Sequence, residues 1–173
     1  MLQHLQQFNN YLAIQYRIIN DENMEELVLE EVNQSDEHKK LLFTVFQQRK
    51  DVDRISSDPQ LIFNDHSKFV EDHPYRYWFL VKNEGCYIGA VNISYENSLG
   101  IHLFDKYESF IGQLIEKIRN TLKPLPRLAS VRPGNFIINV SPKNIKLERE
   151  LEMLGARCIQ KTFQLEENEK SKF

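Results

Sequence analysis

His102 stands in the middle of SLGIHLFDKYESFIGQLIE (98–116), where a short apolar strand runs through a polar turn into an amphipathic helix. An imidazole titrates near neutral pH, so there it either relays a proton or is simply packed. The turn is a second source of chemistry. A helix N-terminus exposes about four backbone N–H groups without intrahelical partners, together with the positive end of the helix dipole, and so cradles anions such as phosphate. Glu96 and Tyr95, before the strand, are a nearby acid and phenol, with a base, a substrate contact or a plain turn all open to them. Farther on, Asn144 opens another helix, where asparagine caps the first turn with or without a ligand.

Positioning these groups takes a strand, a helix and a second strand. Phe110, Ile111, Leu114, Ile115, Ile118 and Leu122 fall on one stripe of a helix that Lys123-Pro124 ends. The strand before it is Leu99 to Leu103, after a turn at Glu96-Asn97-Ser98, and the apolar run Phe136 to Val140 follows. Strand, helix, strand predicts a right-handed crossover with parallel strands, and hence a loop at their carboxyl ends, where open sheets bind ligands.

The rest of the chain supplies the frame. Residues 1–23 are rich in glutamine and asparagine, with Leu2, Leu5, Phe8 and Leu12 at helical spacing: an amphipathic extension that offers a surface to a second copy or another protein. Leu27 to Val32 predicts a strand. Ser35 caps a helix carrying Leu41, Leu42, Val45 and Phe46. A polar connection, QQRKDVDRISSDP, leads to a short helix over Asp65 to Asp72 with Phe69 and Val70 inward, stopped by His73-Pro74. Tyr75 to Lys82, a turn at Asn83-Glu84-Gly85, and Cys86 to Ile93 form a hairpin. After Asn144, Leu147, Leu151 and Leu154 make a helix closed by Gly155, and the alternating run Cys158 to Leu165 predicts a last strand. The domain spans 24–166, with a flexible tail at 167–173. The fold class is mixed α/β: a mostly antiparallel sheet with one parallel strand pair and helices on both faces.

Composition narrows the classes. The 173 residues are 41% hydrophobic and 27% charged, an ordinary globular balance with a core of real size. A net charge of -3 argues against a nucleic-acid-binding domain. No apolar run reaches the roughly 20 residues of a membrane span, and the start lacks signal-peptide features, which predicts no membrane association and a cytoplasmic location. Cys86 and Cys158 have no metal-ligand spacing, so no metal site is expected, and both are read as free buried thiols.

The element order, the run from Asn144 to Gly155 in SPKNIKLERELEMLGARCIQ, and the segments RKDVDRIS, NDHSKFVEDHPYRYWFLV and GCYIGAVNI together resemble the GNAT superfamily of acetyl-coenzyme A-dependent N-acetyltransferases, in its branch acting on small molecules and amino sugars. The resemblance implies acetyl-CoA as co-substrate and direct transfer of acetyl to the amino group of an amino sugar or amino-acid-like molecule. It assigns cofactor contacts to Ile101, His102, Leu103 and Asn144, and to Glu108, Ser109, Phe110, Ile111, Gly112 and Gln113 of the loop and first helical turn. His102 and Glu96 take the catalytic roles, and Arg49, His66, Trp78 and Tyr95 the substrate contacts.

One departure stands out. The family's loop reads Gln or Arg, two residues, Gly, one residue, Gly or Ala; here Asp105, Glu108 and Phe110 take those three places. Phe110 is expected to crowd a pyrophosphate, and Glu108 to repel it by about 1–4 kcal/mol, a large part of the roughly 8 kcal/mol of a micromolar ligand. The family's thiolate-protonating tyrosine is replaced by Leu151. The alternative reading is a degenerate relative that has lost acetyl-CoA and serves as a binding or assembly module.

Overall fold

Glu84 and Gly85 take φ of 48° and 76°. Positive φ at both centres of a two-residue turn matches the right-handed twist of a hairpin, and the strands it joins are β2 (Tyr77–Asn83) and β3 (Cys86–Ile93). These values come from a computed structural model that describes residues 26–53 and 62–163. The predicted helix in 1–23 and the tail at 167–173 lie outside the described residues.

The hairpin is the middle of a sheet ordered β1-β2-β3-β4-β5, with β1 at Val28–Glu31, β4 at Ser98–Leu103 and β5 at Ile137–Ile138. β1 through β4 pair antiparallel, and β4 with β5 is the single parallel pair among the described residues. The helices among the described residues are α1 (Asp36–Gln47), α2 (Phe63–Asp72), α3 (Ile111–Thr121) and α4 (Ile145–Met153), with short 3-10 segments at Asp51–Asp53 and Asp105–Phe110.

Alternation along the strands feeds two apolar layers. Val81, Val91, Ile93 and Leu99 pack with Leu114 and Ile118 of α3. On the opposite face Trp78, Leu80 and Ala90 pack with Leu42 and Val45 of α1 and Val70 of α2. Each large side chain buried this way contributes about 1.5–3 kcal/mol, far more than any surface ion pair of the structure.

Local signals hold where they are short-range. The Ser35 Oγ accepts from His38 N at 3.2 Å and starts α1. Before Pro74, α2 ends on His73 in the left-handed region, φ 43°. Four expectations need correction. The polar turn before α3 is not an open loop but the 3-10 segment Asp105–Phe110. In α2 it is His66 with Val70 that is buried, while Phe69 lies at the rim against Tyr75 and Trp78. Residues 156–163 form no strand and are exposed; alternation fits a half-buried surface, but a strand also needs an edge to pair with. Finally, Cys86 and Cys158 are free but exposed.

Candidate functional site

β5 pairs with β4 only through Ser98↔Ile137 and Leu99↔Ile138. Pro142, which has no N–H to give a ladder, follows closely, and the chain turns away into α4. The ladder bonds of β4 alternate between its two neighbours. Ser98 O and Phe104 N bond β3, while Asn97 O bonds Ile137 of β5. The even-numbered residues therefore turn their peptide groups toward β3, and Ile101 and Leu103 turn theirs to the β5 side. Among the described residues no strand pairs with that edge beyond Leu99. The two strands thus splay into an opening edged by the peptides of Ile101 and Leu103; the peptide of His102 faces β3, which corrects its expected backbone role.

Three segments meet at the carboxyl end of the opening. The Lys50 ammonium, after α1, lies 2.7 Å from one oxygen of Glu108 and 3.0 Å from Asp105. Lys146, in the first turn of α4, takes the other oxygen of Glu108 at 2.6 Å. This pairing holds the Glu108 carboxyl below and both lysines above their usual ranges. Glu108 is thus neutralised in place. Phe110, expected to crowd a ligand, turns into the α3 core layer instead, beside Tyr107, while Ser109 is exposed.

Among the described residues neither Asp105–Phe110 nor α3 carries a side-chain cap, and the first runs on into the second, the Ile111 N–H donating to Glu108 O. Ile111 opens α3. At Gly112 an added Cβ would meet, among the described residues, only Leu154, at 3.8 Å, so their packing does not demand the glycine. Gln113, in the same turn, has its Oε1 buried without a partner among the described residues. A groove of about 520 Å³ lined by Gln48, Phe104, Asp105 and Lys106 adjoins this end.

The His102 side chain points to the α1 face. Its ring lies 5.2 Å from Phe46. Burial first, and the Arg49 charge second, push its pKa down to about 3, so the imidazole is neutral at pH 7. Phe46 is the hub: it also touches His66, Trp78 and the Arg49 guanidinium, the last at 5.7 Å. His66 is buried, which lowers its pKa. Among the described residues, its Nε2 and the Trp78 Nε1 are buried without hydrogen-bond partners. Arg49 Nη2 donates to Asp53 O at 3.3 Å. Asn144 does two jobs: its Oδ1 accepts from Leu147 N at 2.9 Å, and its Nδ2 donates to Asp53 Oδ1 at 2.6 Å.

The structure thus brings His102, Arg49, His66 and Trp78 around one phenylalanine and ties Asn144 to the same segment through Asp53. Glu96 and Tyr95 stand apart. They sit in the β3–β4 turn, where β4 and β5 are still paired, and Ser98 alone is roughly 13 Å from His102 at a strand's rise. Tyr95 is exposed, its carbonyl accepting from Arg132. Lys50, Lys146 and Asp53 were not anticipated. The ion pairs join residues 58 and 38 apart, and only the two acids of the 3-10 segment hinted that cations were required. Among the described residues no group of three His, Cys, Asp or Glu is placed to hold a metal, and no helix is long and apolar enough to cross a membrane.

No protein-family model matches the chain, and no curated protein matches it. Solved structures do. The aminoglycoside N-acetyltransferase AAC(6')-Iy in complex with CoA superimposes with a TM-score of 0.55 at 14% identity, over 84% of this chain and 97% of that one. The same enzyme with the bisubstrate analogue CoA-S-monomethyl-acetylneamine gives 0.54 at 14%, over 83% and 99%. A possible acetyltransferase from Clostridium difficile 630 gives 0.50 at 12%, over 82% and 98%. At these identities the likeness is one of fold, and the fold is the GNAT-like one expected from the sequence.

Proposed function

We propose that this protein is an N-acetyltransferase that moves the acetyl group of acetyl-CoA to the amino group of a small molecule, an amino sugar or an amino-acid-like amine. The observation that carries the reading is the opening between β4 and β5. The peptide groups of Ile101 and Leu103 face it, as a strand edge offers itself to an extended ligand with amides of its own. The pantetheine arm of the cofactor is such a ligand. Support also comes from the shared fold, since the neighbour AAC(6')-Iy was solved with CoA and with a CoA–aminoglycoside bisubstrate analogue.

In this reading the thioester carbonyl accepts from the N–H of Ile101 or Leu103, which stabilises the oxyanion of the tetrahedral intermediate. The neutral amine attacks the carbonyl carbon, a C–N bond forms, the C–S bond breaks, and the amine loses one proton. With its pKa near 3, His102 does not store that proton. As a neutral acceptor beside Arg49 it orients the amine, and water takes the proton. Leu151 donates nothing, so water also serves the departing thiolate. Phe46 walls the amine's side, backed by the buried His66 and Trp78, and Asn144 and Asp53 hold the segment that carries Arg49.

Incubation of the purified protein with acetyl-CoA and a panel of aminoglycosides, amino sugars and amino acids tests this. Amine-dependent release of free thiol is the expected result. Absence of both thiol release and acetyl-CoA binding overturns it.

A further inference from the structure

Two ammonium groups from segments far apart in the sequence converge on one carboxylate. Lys50 follows α1 and Lys146 begins α4, and each takes a different oxygen of Glu108, at 2.7 and 2.6 Å. Glu108 lies in the 3-10 segment that runs on into α3, its carbonyl accepting from the Ile111 N–H, and Gly112 in the first turn of α3 leaves space that packing among the described residues does not require. A carboxylate shared between two cations, one on each oxygen, has the charge and shape of a bound phosphate group.

We propose that Glu108 is an internal occupant of an anion site, that Lys50 and Lys146 are the ligands of the cofactor's diphosphate, and that Glu108 gives way when the cofactor binds. The proposal rests on the reading of acetyl-CoA as co-substrate. It also explains how a loop with an acid in place of glycine accommodates a dianionic ligand: the acid leaves, and its two cations stay.

The physical balance favours exchange. The Lys50 and Lys146 side chains are 41% and 65% exposed, so water screens their pairs with Glu108 and the latch is weak. A diphosphate carries more charge than a carboxylate and more acceptor oxygens, so it competes for both lysines at once. The latch then sets the affinity: a site closed for nine-tenths of the time binds about tenfold more weakly than the same site held open. Asp105, 3.0 Å from Lys50, stays as a counter-charge that keeps that lysine in place.

Calorimetric titration of the full chain with CoA, and with pantetheine as a phosphate-free probe, tests the latch. Glu108→Gln should bind CoA about tenfold tighter than the unaltered protein. The Lys50→Gln/Lys146→Gln variant should bind CoA at least about tenfold weaker, each ammonium being a charge-assisted donor to the diphosphate. Pantetheine should bind all of them alike. If Glu108→Gln does not fold, Glu108→Asp, whose shorter arm draws the carboxylate off the lysines, should tighten CoA in the same direction. CoA affinity equal or weaker in the Glu108 variants overturns the latch and leaves acetyl-CoA as co-substrate. Binding of CoA to none of the proteins overturns the co-substrate reading, and the latch with it.

Discussion

Asn144 donates its side-chain amide to Asp53 at 2.6 Å, across 91 residues of sequence, while its carbonyl oxygen caps α4. The same residue therefore starts a helix and fastens the segment that carries Arg49 beside His102. Both halves of the amide are used, one as acceptor and one as donor.

Replacing Asn144 separates these jobs. Asn144→Ala loses the cap and the tie to Asp53, and should cost about 1–2 kcal/mol of stability. Asn144→Asp keeps the cap acceptor but sets two carboxylates against each other, so it should be at least as damaging to the Arg49 segment. Urea denaturation of both variants checks this; an alanine variant as stable as the parent would show that the tie contributes nothing.

Acid should weaken the fold through His102. Its folded pKa of about 3 lies below the ordinary value of 6.5, so the unfolded chain takes up the proton first. The stability contribution is complete above pH 6.5 and is lost as pH falls toward 3, the loss reaching about 2 kcal/mol at pH 5. His66, lowered by burial, acts in the same direction. Denaturation midpoints of the protein and of His102→Gln between pH 4 and 8 should show a shallower acid slope in the variant.

Asn97 is fully buried at φ 64°. Its Nδ2 donates to Leu125 O and Pro133 O, and its Oδ1 accepts from Leu125 N. It pins the connection from α3 to β5 against the start of β4. Asn97→Ala leaves these backbone groups without partners and should cost about 3 kcal/mol or more; a loss below about 1 kcal/mol in denaturant titration would show that the connection refits itself.

Gly89 sits across from His102's strand. An added Cβ would come within 2.2 Å of the His102 carbonyl oxygen and 2.8 Å of Leu103 Cα, both backbone atoms that cannot step aside. Gly89→Ala should therefore part β3 from β4, with destabilisation above about 4 kcal/mol. Loss of the folded circular dichroism signal at 37 °C is the expected readout.

What the sequence by itself determined is what short-range forces decide. Ser35 and Asn144 were legible as caps because each bonds a backbone N–H three residues on. α1, α3 and α4 and the hairpin were legible because helix and strand periods show directly in the spacing of apolar residues. The element order carried the fold class for the same reason. Only the tertiary structure decided the rest. Phe110 enters the core because the 3-10 segment turns it there, and Cys86 is exposed because it opens β3 beside the hairpin turn. Cys158 to Phe163 alternates like a strand yet pairs with none among the described residues. The low pKa of His102 follows from burial beside Arg49, and the Lys50–Glu108–Lys146 latch joins segments that only the folded chain brings together. Burial and Coulomb energies depend on distances in space, and a local pattern carries no record of those.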